Sequence, residues 1–206
     1  MRIVFATGNK DKMREVRGIL GGLNAEILSM KEAGADCDVD ENGSTFSENA
    51  RIKADAVYAL LKERDPDKAD KTIVLADDSG LEVDYLGGEP GIYSARYLGR
   101  ETPYVEKNRI IIERLSDAKG ADRSARFVCA IAASLPGGRG LDTLGKMEGQ
   151  IAFEQAGTNG FGYDPIFFLP EYGKTSAELA EDEKNAISHR GKALRAMEEL
   201  LRKEDL

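Results

Sequence analysis

The apolar run Ile73-Val74-Leu75-Ala76 meets Asp77-Asp78-Ser79-Gly80 without a break. A run rich in β-branched residues predicts a buried strand. Two carboxylates, a hydroxyl and a glycine where it stops would put acid chemistry at the strand tip, which is where open α/β sheets bind ligands. Neighbouring strand residues point to opposite faces, so one of Asp77 and Asp78 faces a pocket and the other braces the turn. For the tetrad alone, a plain acidic turn is an equal alternative.

Other groups have types and spacings that would serve such an acid. Thr7-Gly8-Asn9-Lys10-Asp11-Lys12 follows a short apolar run and precedes a helical pattern. A hydroxyl, a closely approachable backbone and an amide at a helix start suit a phosphate, and Lys12 can reach back as a point charge. The plainer reading of that segment is a helix capped by Asn9. Glu41 lies in an acidic stretch before a second helix. With Asp78 it would suit a hard cation, because Mg²⁺ uses one or two carboxylates together with substrate phosphates. Phe161-Gly162-Tyr163-Asp164 offers an aromatic face, an open backbone and a carboxylate that would stack on and orient a planar base. Lys184, His189 and Arg190 place donors around the start of the last helix, suited to a carbonyl-bearing ring or to phosphate oxygens.

Several chemistries are excluded. The segment Gly140 to Met147 has the glycine and lysine spacing of a P-loop, but Met147 stands where a Ser or Thr must bind Mg²⁺. There is no Gly-x-Gly-x-x-Gly fingerprint, and the single histidine has no nucleophile elbow, so a Ser-His-Asp hydrolase is ruled against. A formal charge of −8 with mixed signs argues against nucleic acid and anionic membranes as partners. Cys37 and Cys129 read as reduced thiols, and no apolar run approaches membrane-spanning length. The expectation is a soluble, cytoplasmic protein.

The elements that must position these residues follow from periodicity. Arg2 to Ala6 reads as a strand, followed by a helix with Met13, Val16, Ile19 and Leu20 on one face. Asn24 to Met30 reads as a second strand. Thr45 and Glu48 form a capping box for a long helix that buries Ala50, Ala54, Val57, Tyr58 and Leu61. Lys62 to Lys71 reads as the helix end and a solvated connection. Leu81 to Tyr97 reads as an ordered loop, and Thr102-Pro103 as a helix start. Strands are expected at Phe127 to Leu135, Met147 to Gln155 and Pro165 to Leu169, and a final helix from about His189. Interleaved helices and strands give an α/β class with a mixed sheet, and 206 residues suit one domain or two closely packed lobes.

Taken together, the segments resemble the inosine triphosphate pyrophosphatase family. The resemblance rests on Thr7-Gly8-Asn9 with Lys12 and Glu15, Thr45-Phe46 with Glu48-Asn49-Ala50 and Lys53-Ala54, and Ala76 to Leu81. It continues through Pro90 to Tyr97, Gly160 to Pro165 and Glu183 to Arg190, in family order over nearly the whole chain. Asp77-Asp78-Ser79 stands where some eukaryotic members carry Glu-Asp-Thr, which marks the microbial form. The resemblance implies Mg²⁺-dependent cleavage of ITP, dITP or XTP between the α and β phosphates, giving a nucleoside monophosphate and pyrophosphate. By position, Asp78 would be the general base or its metal-bound equivalent and Glu41 the companion metal ligand, with Asp40 as the alternative. Thr7 to Lys12, Lys53 and Ser79 would hold the triphosphate, and Phe161 to Asp164, Lys184, His189 and Arg190 the base and sugar. The implied fold is one elongated, two-lobed domain over residues 1–206, with a long central mixed sheet flanked by helices and a cleft between lobes. A homodimer is implied as well. Alternative readings are a pyrophosphatase for other modified nucleotides and a nucleotide sensor without hydrolysis.

Overall fold

The computed structural model describes residues 1–204. The elements in chain order are β1 (Arg2–Phe5), α1 (Lys10–Ile19), β2 (Glu26–Ser29), α2 (Phe46–Arg64), α3 (Pro66–Ala69) and β3 (Thr72–Val83). They continue with α4 (Tyr104–Arg114), β4 (Ser124–Ser134), β5 (Gly140–Ile151), β6 (Phe167–Leu169), β7 (Lys174–Thr175), α5 (Glu181–Ile187) and α6 (His189–Leu201). The strands form a seven-stranded sheet in the order β2-β1-β3-β4-β5-β6-β7. β1 runs parallel to both β2 and β3, whereas β5-β6 and β6-β7 are antiparallel, so the sheet is mixed as expected.

The chain divides into two compact units. The first comprises residues 1–78, 129–145 and the segment from Arg190 onward. In it, Ile3 and Phe5 of β1, Ile73 and Leu75 of β3, and Cys129, Ile131 and Ala133 of β4 point to one face by the two-residue strand period. Met13, Val16 and Leu20 from the apolar stripe of α1 cover that face, with Ala193, Leu194, Met197 and Leu201 of α6. The second unit comprises residues 79–128 and 146–189. Its core joins Leu81 and Val83, Phe127, Met147 and Ile151 to Ile111 of α4, to Leu115 at the end of that helix, and to Tyr163, Ile166 and Phe167. No described helix is long and apolar enough to cross a membrane.

The helix starts follow their caps. Asn9 Oδ1 accepts from the backbone N–H of Asp11 at 2.8 Å and of Lys12 at 3.1 Å, and Thr45 Oγ1 accepts from that of Glu48 at 3.1 Å. The return bond of the α2 box runs to Ser44 N–H, at 2.6 Å from Glu48 Oε2, one residue before the expected one. The segment Gly140 to Met147 lies within β5, an extended strand that cannot wrap a phosphate.

Three expectations change. The strand expected at Met147 to Gln155 begins earlier, at Gly140, and ends at Ile151, so residues 152–155 lie outside it. The strand expected from Ile73 does not stop at Asp77: β3 runs on through both carboxylates to Val83, taking the start of the expected loop with it. What ends here is the neighbour. β1 pairs with Thr72 to Leu75 and turns away after Ala6 N–H bonds Leu75 O at 2.7 Å, while β4 remains on the other side of β3. The acids therefore lie mid-strand, beside the carboxyl tip of β1. The predicted solvated connection contains α3, capped by Asp65 and started by Pro66.

Candidate active site

In the first unit the turn after β1 is tied to itself before it meets any ligand. Thr7 Oγ1 accepts from Asn9 N–H at 3.1 Å, and Asn9 then caps α1. Gly8, Asn9 and Lys10 are exposed at this helix start, and Asp11 pairs with Arg14 at 2.8 Å. The N–H groups and dipole of a capped helix favour an anion here.

Strand alternation separates the two aspartates as the sequence implied. Asp77 is fully buried; its Oδ1 lies 2.9 Å from Lys12 Nζ, and its Oδ2 accepts from Arg190 at 2.9 and 3.2 Å. Arg190, itself buried, also pairs with Glu15. Burial by itself raises the Asp77 carboxyl, but Lys12, Arg190 and Lys53 outweigh it and hold the group far below the carboxylate range. Asp77 is thus a permanent anion that fixes two cations.

Asp78 is 8% exposed and faces different partners. Its Oδ2 accepts from Asn49 Nδ2 of α2 at 3.1 Å. One turn on along α2, Lys53 donates to the Asp77 carbonyl at 3.0 Å and pairs with Glu41 at 3.0 Å. Burial pushes the Asp78 carboxyl up to about 6; Lys53 and Lys12 oppose the rise, Glu41 adds to it and Asn49 opposes it. Between the two candidate metal ligands, Glu41 is the one whose charge reaches Asp78, and Asp40 is exposed. Ser79, the next residue of β3, is half-buried and opens the second unit.

The donor set can be tested against Mg²⁺. Among the described residues no three His, Cys, Asp or Glu converge on one point, so no protein cage for a metal exists. Mg²⁺ does not need one when phosphates and waters complete its shell. Glu41 and Asp78 supply two neighbouring carboxylates, and Asn49 orients one of them. Carboxylates also outnumber cations in the cluster of Glu15, Glu41, Asp77 and Asp78 with Lys12, Lys53 and Arg190. The residues fit the ion.

The second unit holds the aromatic loop. Asp164 is buried; its Oδ2 accepts from Phe161 N–H at 2.8 Å and Lys184 Nζ at 2.6 Å, and its Oδ1 from Ser176 Oγ at 2.8 Å. The Lys184 ammonium lies 5.3 Å from the Phe161 ring centroid. Gly160 has φ +72°, and a Cβ there would collide with the Asp164 carboxylate. Tyr163 donates its hydroxyl to Ser94 O at 2.7 Å. His189 is buried and stacks on Phe127, with centroids 4.8 Å apart and planes at 18°.

Of the residues expected to hold the base and sugar, Phe161, Gly162, Tyr163, Asp164 and Lys184 come together. Asp164 acts as the strut that holds Phe161 and Lys184, His189 packs against an aromatic ring, and Arg190 joins the Asp77 network of the first unit. Asn49 and Ser176 were missed as contributors. Asn49 had a signal, since it lies one helical turn before Lys53 on α2. Ser176 had none, because its partner Asp164 lies twelve residues away, outside local spacing.

The Ham1 family profile matches residues 3–200. The chain is 46% identical over 202 residues to a dITP/XTP pyrophosphatase of Clostridium perfringens, covering 98% of this chain and 97% of that relative. A dITP/XTP pyrophosphatase of Exiguobacterium sibiricum is 45% identical over 201 residues, with the same coverage of each chain. Among solved structures, a HAM1 protein from Coxiella burnetii superposes with a TM-score of 0.83 at 40% identity, covering 99% of this chain and 100% of that one. The Staphylococcus aureus Ham1 protein does so with a TM-score of 0.83 at 39% identity, covering 98% of each chain.

Proposed function

The chain belongs to the Ham1 family, and on that premise we propose that it hydrolyses deaminated purine nucleoside triphosphates (ITP, dITP and XTP) to the nucleoside monophosphate and pyrophosphate. The observation that carries the reading is Asp78: a carboxylate oriented by Asn49, raised by burial, and set beside Glu41, Lys53 and the capped turn after β1.

Phosphoryl transfer needs positioning and charge neutralisation more than covalent chemistry. Thr7 to Lys12 and Lys53 hold the triphosphate, with Ser79 next to Asp78 on β3. Glu41 and Asp78 would hold Mg²⁺, which when bound neutralises phosphate charge and makes a water easier to deprotonate. Asp78 takes the proton of the attacking water or orients it, a role worth roughly 10²–10⁴-fold. Asp77 keeps Lys12 and Arg190 charged and fixed, so the cations are arranged before substrate arrives.

At the base, Phe161 supplies a stacking face and Lys184 a donor. A donor suits the six-position carbonyl of hypoxanthine or xanthine and leaves adenine's amino group without a partner, a mismatch that selects strongly. Assignment of one nucleotide to both residue sets comes from the family resemblance, as does a homodimer, which sedimentation would test.

A triphosphate panel with Mg²⁺, scored for pyrophosphate against orthophosphate and with a chelator control, tests the reading. The expected result is pyrophosphate from ITP, dITP and XTP and little from ATP or GTP. Equal turnover of ITP and ATP, or binding with no pyrophosphate released, would overturn it.

A further inference from the structure

We propose that Asn108 and Lys107 of α4 are positioning residues for the base: they hold the aromatic loop in its binding shape from behind. The proposal deepens the pyrophosphatase reading and rests on it.

Asn108 is 1% exposed and spends both N–H bonds of its amide on acceptors. One goes to Gly162 O at 3.2 Å and the other to Gln155 Oε1 at 3.3 Å. The orientation is imposed from outside, because Gln155 Nε2 must donate to Val105 O at 3.1 Å, which turns its oxygen toward Asn108. Gly162 has φ +68°, so the peptide that Asn108 grips has a conformation that local sterics leave free.

The same helix secures the next residue of the loop. Tyr104, one turn before Asn108, meets the Tyr163 ring edge-on at 5.2 Å between centroids. Behind Tyr104, the buried Lys107 sets its ammonium 4.9 Å from that ring and donates to Ala95 O at 2.9 Å. Tyr163 itself donates to Ser94 O. Two adjacent carbonyls, Ser94 and Ala95, are therefore held by the loop and by α4, and Gly162 is held by α4 directly. Loop, helix and the Ser94 segment close into one ring of contacts within the second unit.

Stability alone does not account for Asn108. Its Oδ1 is buried without a hydrogen-bond partner among the described residues, which costs stability. A leucine of similar size would avoid that cost, and Gly162 and Gln155 are open enough for water to satisfy them. What only the amide supplies is a fixed Gly162 peptide, and so a fixed Phe161-Gly162-Tyr163 surface.

The test is Asn108→Leu, read by steady-state kinetics on ITP, by calorimetric binding of inosine monophosphate and by inhibition with inorganic triphosphate. The expected result is a KM for ITP raised about 3- to 10-fold with kcat little changed, and inosine monophosphate weakened in parallel. Inhibition by triphosphate and the melting temperature should stay at wild-type values. An unchanged KM and unchanged monophosphate binding would overturn the proposal, as would a fall in kcat alone. If Asn108→Leu does not fold, Lys107→Met, which keeps the aliphatic stem, must give the same split or the proposal fails. A wild-type protein that binds no inosine monophosphate would sink the underlying reading of the loop, and this proposal with it; normal wild-type binding matched by both variants sinks this proposal alone.

Discussion

The ammonium of Lys12, in the first turn of α1, lies 2.9 Å from Oδ1 of Asp77, a residue with no solvent exposure in the middle of β3. Asp77 and its neighbour Asp78 thus divide the work of one dipeptide. One is an ion-paired anchor, and the other is a buried acid held by Asn49 and raised by its burial.

That division predicts opposite effects for two isosteric substitutions. Asp77→Asn leaves Lys12 and Arg190 without their shared anion, and loss of one member of a buried ion network costs about 3–5 kcal/mol. Urea unfolding should find that loss; a stability within error of wild type would remove the anchor role.

Asp78→Asn should abolish turnover by roughly 10²–10⁴-fold yet leave a folded protein. Because burial raises this carboxyl to about 6, its ionised form is held in the fold at a cost. Removing the charge should stabilise the metal-free protein at pH 8, by on the order of 1–3 kcal/mol. A variant that is both active and no more stable would contradict the assignment.

The same shift predicts a pH dependence. The folded-state value is raised above the ordinary 3.8, so Asp78 contributes stability below about pH 4 that is lost as pH rises through about 6. Activity moves the other way, since a metal ligand must be ionised. At limiting Mg²⁺, kcat/KM should rise through about pH 6, and excess Mg²⁺ should displace that limb toward acid. A limb indifferent to Mg²⁺ would assign it to another group.

Ser176→Ala removes a hydrogen bond to the buried Asp164 carboxylate, worth about 1.5–3 kcal/mol for a charged acceptor. The expected signature is a lower melting temperature with KM for ITP raised and the KM/kcat split resembling that of a base-side lesion. No change in either would mean that Phe161 and Lys184 suffice to hold Asp164.

Gly160→Ala combines a positive φ with a Cβ directed into the Asp164 carboxylate, a strain of roughly 1–3 kcal/mol. The loop should yield, with ITP binding weakened about 10-fold or more and inorganic triphosphate binding unaffected. Equal loss of both ligands would indicate general unfolding instead.

Much of the molecule was legible from spacing. The caps at Asn9 and Thr45, the apolar stripe of α1 and the run into β3 depend on side chains a few residues apart, and local periodicity reports those well. The false P-loop was recognisable because one residue, Met147, has no oxygen to give a metal. The extent of β3 was not legible. An acidic pair reads as a strand end unless one knows that β4 remains alongside after β1 has turned away. Arg190 reads as a donor to substrate near a helix start, yet it is buried against Asp77 and against Glu15, a residue 175 positions earlier.

The sequence by itself determined the α/β class, the turn after β1, the acids and the aromatic loop, because residue type and short-range period suffice for those. The tertiary structure alone decided which aspartate is locked between Lys12 and Arg190 and which is held by Asn49, that the charge of Glu41 reaches Asp78, and that α4 grips the aromatic loop. The physical reason is that charge pairing and buried hydrogen bonds act through space. Topology brings Lys12, Asp77 and Arg190 within 3 Å contacts, and no spacing along the chain encodes it.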